Sequence, residues 1–304
     1  MKRILVIRGG AIGDFILTLP AIKLLRDRFP EAQIEILGYT HITALAEKRF
    51  YADAVRSIEQ GPLATFFAKD SILPGELIDY FSSFDLIVSY LFDPDGIFES
   101  NLKRCRIKTF IAGPSKLKSG EHGTLQLARP LEQMGLPLDD RAAKLYPTDE
   151  DREFARHFFG RVGGPVTAFH PGSGSETKNW PIENWKELGE HVFSTGRDLL
   201  IASGEADEDR VRFLQSAWRG KSVRYAMHLP LPRLAAVFEN AIFVGHDSGI
   251  SHLAAGVGAR CILLFGATDP AIWAPANRNV TVLRAPERDL RLLTVDTVIS
   301  AIGG

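Results

Sequence analysis

Four stretches of the chain place reactive side chains where a turn would expose them. The first, "VIRGGAIGDFILTLP" (6–20), sets Asp14 directly behind a glycine turn and ahead of an apolar run. A carboxylate there has two readings. It caps the helix that follows, as Asp commonly does, or it stands at a cleft as a general base toward a hydroxyl nucleophile. Taken alone, the stretch favours the cap. The second, "FHPGSGSETKNWP" (169–181), offers small residues, hydroxyls including Ser173, and Lys178. Exposed N–H groups of such a loop, completed by an ammonium, make an anion cradle; a flexible surface turn is the plainer alternative. The third, "FVGHDSGISHLAAGVGA" (243–259), reads as strand, sharp turn and helix. Its "DSG" aims the free N–H groups of a helix start at an anion, with the dipole favouring negative charge. Asp247 and Ser248 serve equally as caps, and His246 and His252 as neutral core or capping histidines rather than metal ligands. The fourth, "LLFGATDP" (263–270), closes another strand in small residues. Three anion-friendly turns at successive strand ends point to a diphosphate-bearing ligand.

The elements that must position these turns are short apolar runs alternating with amphipathic stretches. Strands are expected at Ile4–Ile7, Ile34–Leu37, Leu86–Ser89, Ile107–Ile111, Val166–Phe169, Leu199–Ala202, Ile242–Val244 and Cys261–Phe265. Between them Ile12, Phe15, Ile16, Leu19 and Ile22 recur at helical spacing, as do Leu234, Val237 and Phe238. Such alternation predicts an α/β fold of parallel sheets with helices on both faces. The polar, proline-broken "YPTDEDREF" (146–154) divides two halves of similar length, giving domains 1–147 and 148–304. The expected architecture is two doubly wound, Rossmann-like domains facing across a cleft, with ligands beyond the carboxyl ends of the strands.

Composition narrows the class. With 304 residues, 45% hydrophobic and 24% charged, the chain reads as a soluble globular protein of two domains. A net charge of −1 gives no field that would recruit nucleic acid, so any anion site is local. Cys105 and Cys261 are too few for a disulfide framework or a cysteine metal site. "MKRILVIRGG" is too short in apolar residues for a signal peptide, and no stretch approaches a membrane span; a cytoplasmic protein is expected. The glycine turn at 9–13 fails as a dinucleotide motif. Arg8 stands where the first glycine belongs, and the second strand ends in "LGYT" without an acid for a ribose.

"GDFILTLP" (13–20), "HPGSGSETKNWP" (170–181) and "GHDSGISHLAAGVGARCILLFGATDP" (245–270) resemble glycosyltransferase family nine, typified by bacterial ADP-heptose:lipopolysaccharide heptosyltransferases. The likeness runs from the first strand to about residue 285, with the motifs in order. It implies a GT-B fold, an N-terminal acceptor domain, a C-terminal nucleotide-sugar domain, and inverting transfer with no required metal or other cofactor. Asp14 then matches the catalytic carboxylate and Lys178 the lysine at the donor phosphates. Asp247 would hold a donor-sugar hydroxyl, and the N–H groups of Ser248 and Gly249 the diphosphate. Glu208, with Glu205 and Asp207 as alternatives, falls at the nucleotide ribose, and Leu229 near the base. With Gly13, Ser173 and His252 these complete the donor set. Gly9 and Gly10 stand where some members carry hydroxyls, so this loop is expected to contribute backbone only.

The acceptor side rests on a run between 100 and 120 with Lys103, Arg104, Arg106, Lys108, Lys116 and Lys118 and no acid. It is a solvated face or the seat of an anionic glycolipid acceptor; Lys103, Arg104, Arg106, Lys116 and Lys118 are the residues assigned to the acceptor. "TFFAKDSILPGELIDYF" (65–81) is a buried helix or a flap against the cytoplasmic face of the inner membrane. "DPD" (93–95) imitates a metal-binding Asp-x-Asp but is weak support against the two-domain pattern. Two other classes remain: another nucleotide-sugar enzyme such as an epimerase, and a non-catalytic nucleotide-sugar-binding protein.

Overall fold

Unbroken apolar runs are stable as strands only where both faces are covered, which is the situation of a parallel sheet between helices. In the computed structural model, which describes residues 1–160, 166–204 and 207–303, such runs build two parallel sheets. One sheet belongs to each of two units, Met1–Arg141 and Ala142–Gly304.

In unit 1, β1 (Arg3–Arg8), β2 (Gln33–Gly38), β3 (Ala54–Ser57), β4 (Leu86–Ser89) and β5 (Phe110–Ala112) lie in the order β3-β2-β1-β4-β5. The pairings are parallel, with Ile4 opposite both Ile34 and Leu86. The chain winds outward from β1 on one side, then returns to add β4 and β5 on the other, so the winding reverses between β1 and β4. Helix Ile12–Arg28 buries Phe15, Ile16, Leu19 and Ile22, as their spacing predicts. On the sheet pack Phe66, Phe81, Phe84 and Phe98. The strand expected at 107–111 is shorter and later, because Arg106 turns the chain at φ 56° and only Phe110–Ala112 reach β4. The stretch 65–81 is not one buried helix: it runs from the end of a short helical turn, Gly61–Phe67, into helix Gly75–Ser82. Phe66, Leu73, Leu77 and Phe81 are core, while Phe67 is 45% and Ile72 91% exposed.

In unit 2, β6 (Thr167–His170), β7 (Leu199–Ser203), β8 (Val223–Met227), β9 (Ile242–His246), β10 (Arg260–Phe265) and β11 (Val280–Arg284) lie in the order β11-β10-β9-β6-β7-β8. Here the winding reverses between β6 and β9, which pair in parallel with Phe169 opposite Val244. The core gathers Phe169, Trp180, Trp185, Leu188, Val244 and Ile262. Strands β3, β8 and β11 escape the sequence pattern for one reason. All three are sheet edges, partly exposed, and carry polar residues among the apolar ones.

The division between units falls after Arg141, and the expected break at 147 lies within unit 2. Leu145 N–H donates to Gly256 O at 2.8 Å, and Asn277 Nδ2 to Ala143 O at 2.8 Å, so this segment is tied to unit 2. The polar "TDED" that looked like a linker is a helix start: Thr148 caps Asp149–Phe159 and exchanges bonds with Asp151. Among the described residues no helix is long and apolar enough to cross a membrane.

Candidate active site

The winding in unit 2 reverses between β6 and β9, and in doubly wound sheets the loops that leave the carboxyl ends of such a strand pair are where ligands bind. Both loops carry predicted site residues. Lys178, in a short turn at Glu176–Lys178, reaches across so that its Nζ lies 2.8 Å from Asp247 Oδ2 at the end of β9. The carboxylate side chain is 9% exposed and the ammonium side chain 33%, so the lysine of the pair is accessible while its partner is nearly buried. Directly behind Asp247, helix Gly249–Gly256 begins. Ser248 Oγ caps it by accepting the Ser251 N–H at 3.3 Å. The first N–H groups of a helix have no acceptor inside it, so Ser248, Gly249 and Ile250 present donors beside the Lys178–Asp247 pair. The cap suggested by "DSG" is made by the hydroxyl and does not use up the first backbone N–H groups of the helix.

Gly13 lies in unit 1, in the first turn of helix Ile12–Arg28, and the remaining donor-set residues are dispersed over unit 2. Glu208 opens helix Glu208–Ala217 and pairs with His228 at 3.2 Å, next in sequence to Leu229. These mark a second locus at the ends of β7 and β8. Glu205 lies outside the described residues. Ser173 spends its hydroxyl within its own loop, on Asn179 Oδ1 at 2.8 Å and Ser175 O at 3.0 Å. His252 is buried in helix Gly249–Gly256. Asp269, in the fourth turn, caps helix Pro270–Trp273 through the Ala271 N–H.

His246 is a neutral structural histidine. Burial, the largest influence, pulls its pKa down to about 3, and its ring bonds fit one tautomer. Nε2 accepts the Trp180 N–H at 2.8 Å, while Nδ1 lies 3.3 Å from Gly172 O as donor. Nearby, His170 Nε2 lies 3.4 Å from Asp207 Oδ2, and both residues are buried. Burial works to raise the Asp207 pKa, but the His170 contact, the Gly204 N–H and the Arg210 charge together hold it below the usual carboxylate range. Asp207 rather than Glu208 thus belongs to the interior of the fold. Its carboxylate lies against Gly172 so closely that a Cβ there would stand 1.6 Å from Oδ1.

In unit 1 the glycine turn between β1 and helix Ile12–Arg28 folds the start of the helix back over the end of β1 and so brings Asp14 and Arg8 together. Asp14 lies in the first turn of helix Ile12–Arg28, behind Gly10 at φ 100°, and Oδ2 accepts the Ala11 N–H at 3.2 Å. The other oxygen, Oδ1, lies 3.5 Å from Arg8 Nη2. Arg8 is 5% exposed; it donates to Tyr90 O at 3.4 Å and to Asp14 O at 3.3 Å. Burial lowers its pKa from the ordinary arginine value, opposed by the Asp14 charge. A buried guanidinium needs a counter-charge, so Arg8 holds the carboxylate at the head of the helix with its side chain 32% exposed. Arg8 was legible only as an interruption of a glycine motif; a charged residue closing an otherwise apolar strand was the signal.

The basic run does not form one surface. Lys108 pairs with Asp85 at the amino end of β4, at 2.5 Å. Lys103 pairs with Glu99 at 2.6 Å, and Arg104 donates to Ser71 O at 2.9 Å. Lys116 lies 4.5 Å over the Phe92 ring. It shares a pocket of about 310 Å³ with Lys118, Gln126 and Arg129. Arg106 is exposed at its turn. The absence of acids in the run was a sequence-local fact, undone by acids from elsewhere. Asp93 of "DPD" accepts the Phe98 and Glu99 N–H groups at 3.1 and 2.9 Å, capping helix Ile97–Arg104. Among the described residues no group of three or more His, Cys, Asp and Glu is placed to hold a metal ion.

Comparison with known proteins gives concordant results. Residues 122–294 match the family model described as glycosyltransferase family 9 (heptosyltransferase). Over 156 residues, half of this chain, the sequence is 30% identical to lipopolysaccharide heptosyltransferase 1 of Escherichia coli O18:K1:H7, covering 47% of that protein. The chain spans about half the length of the first three curated relatives it matches. Among solved structures, a glycosyl transferase family 9 protein from Veillonella parvula superposes with a TM-score of 0.85 at 18% identity, over 99% of this chain and 96% of that one. The E. coli ADP-heptose lps heptosyltransferase II gives 0.80 at 16% identity, over 100% and 98%. At these identities the structures establish the fold, two parallel α/β units of the GT-B class.

Proposed function

The chain belongs to glycosyltransferase family 9, and on that premise we propose that it is an inverting transferase moving a sugar from a nucleotide diphosphate donor onto a glycan acceptor. Heptose and ADP are the proposed donor parts, and lipopolysaccharide core the proposed acceptor, because similar proteins carry those words in their names. Asp14 takes the proton of the attacking acceptor hydroxyl. That oxygen bonds to the anomeric carbon from the side opposite the diphosphate, whose C–O bond breaks and leaves its electron pair on the departing phosphate. Lys178 and the N–H groups at Ser248 and Gly249 meet the charge that builds there. No metal or cofactor is assigned a part.

The observation carrying this reading is the Lys178–Asp247 pair at the strand reversal of unit 2, beside a helix start. An ammonium held by a single carboxylate exchanges readily to a diphosphate of higher charge. That exchange frees Asp247 to accept a sugar hydroxyl, so one pair accounts for both donor contacts. Glu208 is placed at the ribose and Leu229 near the base. On the acceptor side, Lys116 and Lys118 line a pocket sized for a charged sugar substituent. The assignment of Lys103, Arg104 and Arg106 to the acceptor is a separate proposal, since Lys103 pairs with Glu99, Arg104 bonds Ser71 O, and none of the three lines that pocket. Ile72, 91% exposed and near Lys69 in sequence, supports peripheral contact with the cytoplasmic face of the inner membrane.

The test is Lys178→Ala. It is expected to weaken ADP binding and to slow transfer further, since the same contact strengthens as charge develops. Unchanged ADP affinity and rate remove Lys178 from the site. ADP release that requires acceptor separates transfer from epimerisation and from binding without turnover.

A further inference from the structure

The loop that carries Lys178 is gripped at both ends by two side chains that no donor contact requires. Arg210, from helix Glu208–Ala217, donates through Nε to Pro171 O at 2.8 Å and through Nη2 to Trp180 O at 2.5 Å. One guanidinium thus spans the first and last residues of the stretch 171–180, and its planar fork fixes the separation of the two carbonyls. His246 makes a second bridge between the same ends, to Gly172 O and the Trp180 N–H. The root of the loop is closed from a third side by Asp207, packed over Gly172 and paired with His170. Arg210 also approaches Glu176, two residues before Lys178, at 3.5 Å. Its side chain is only 15% exposed, so its bonds are shielded from water and each is worth more than a surface contact.

From this geometry we propose that Arg210 is a positioning residue of the donor site: it fixes the loop so that Lys178 stands opposite Asp247. The inference rests on the donor-site reading for Lys178, but the grip itself is a property of the loop. Lys178 lies two residues from Trp180, so a shift at the Trp180 carbonyl passes directly into the turn that aims the ammonium. Without the guanidinium, His246 still bridges the loop ends, so the loop should loosen rather than unfold. A lysine at 210 reaches one carbonyl at a time and restores only part of the constraint.

The experiment compares the parent, Arg210→Met, Arg210→Lys, Lys178→Ala and the Lys178→Ala/Arg210→Met double variant, with ADP as the binding probe. Hydrogen exchange is read for amides in 172–179. Arg210→Met is expected to speed exchange in that loop about tenfold while the β6 and β9 amides keep their protection. It is expected to weaken ADP binding about tenfold when Lys178 is present and to have no further effect when Lys178 is alanine. Arg210→Lys should fall between parent and Arg210→Met in both readouts. A residue acting only on global stability would give the same ADP loss in both backgrounds, and that result overturns the proposal. Unchanged loop exchange in Arg210→Met overturns it as well. If Lys178→Ala leaves ADP binding unaltered, the donor-site reading fails, and with it the assignment of Arg210 to a donor site; loosened exchange would then leave a loop brace with no donor role.

Discussion

Replacing Asp14 by Asn separates its two roles, because the structure gives each carboxylate oxygen a different partner. Asp14 is not the N-cap, which is Ala11, but the third residue of the helix: its Oδ2 reaches back to accept the Ala11 N–H at 3.2 Å, and an amide oxygen at that position accepts the same bond. What Asn removes is the charge facing Arg8 at 3.5 Å. The Asp14 side chain is 32% exposed, so screening keeps the direct loss near that of a surface pair, about 1 kcal/mol. Arg8 is buried, however, and retains only carbonyl oxygens as partners, which raises the cost toward about 3 kcal/mol. For a protein of this size the melting temperature should fall by roughly 2–4 °C for each of those kcal/mol, leaving the protein folded at assay temperature. Loss of a general base costs roughly 10²–10⁴-fold in rate, which is about 2.7–5.5 kcal/mol of barrier. The measurement takes melting temperature, ADP affinity and acceptor-dependent ADP release from one preparation. Arg8→Met is the companion variant: it keeps the carboxylate and removes its brace, so it should slow transfer by about tenfold only. An Asn variant that turns over like the parent refutes the argument, and Asp14 then only bonds the helix start, held by an arginine.

Three further outcomes follow from the geometry. Lys116→Ala with Lys118→Ala should raise the acceptor KM and flatten its salt dependence, with ADP affinity unchanged, while Lys108→Ala, engaged with Asp85 at the other end of β4, should alter neither; steady-state kinetics at two salt concentrations decide it. The pKa of His246, held at about 3 by burial against an ordinary 6.5, makes the unfolded chain bind a proton that the folded chain refuses. Stability is therefore intact above pH 6.5 and falls as pH drops toward 3, by up to about 1.4 kcal/mol per unit; the slope of denaturant midpoint against pH should be shallower in His246→Asn. Gly172→Ala forces a Cβ into the Asp207 carboxylate and should cost about 1–3 kcal/mol by overpacking, seen as a lowered melting temperature, with Gly174→Ala serving to report the cost of its positive φ alone.

The sequence by itself determined the class of fold and the loops that matter. Central strands such as β1, β4 and β10 are buried on both faces, so they must be written as unbroken apolar runs, and helix Ile12–Arg28 must show its buried face at helical spacing. Glycine turns and the lysine and carboxylates beside them are local features, visible because conformation and chemistry are set within a few residues. Tertiary structure alone decided what those residues face. That Lys178 meets Asp247 depends on β6 and β9 being neighbours although two strands intervene in the chain. Arg8 changes from the flaw in a glycine motif to the partner of Asp14 only when the start of the helix folds back over the end of β1. Arg210, whose two carbonyl partners lie 39 and 30 residues before it, carries no local signature at all. The basic run shows the converse: contiguous in sequence, it is dispersed over a sheet whose strand β5 sends its flanking residues to opposite ends. Charge, unlike apolar periodicity, is defined by whatever lies within a few ångströms, and only the folded chain fixes that neighbourhood.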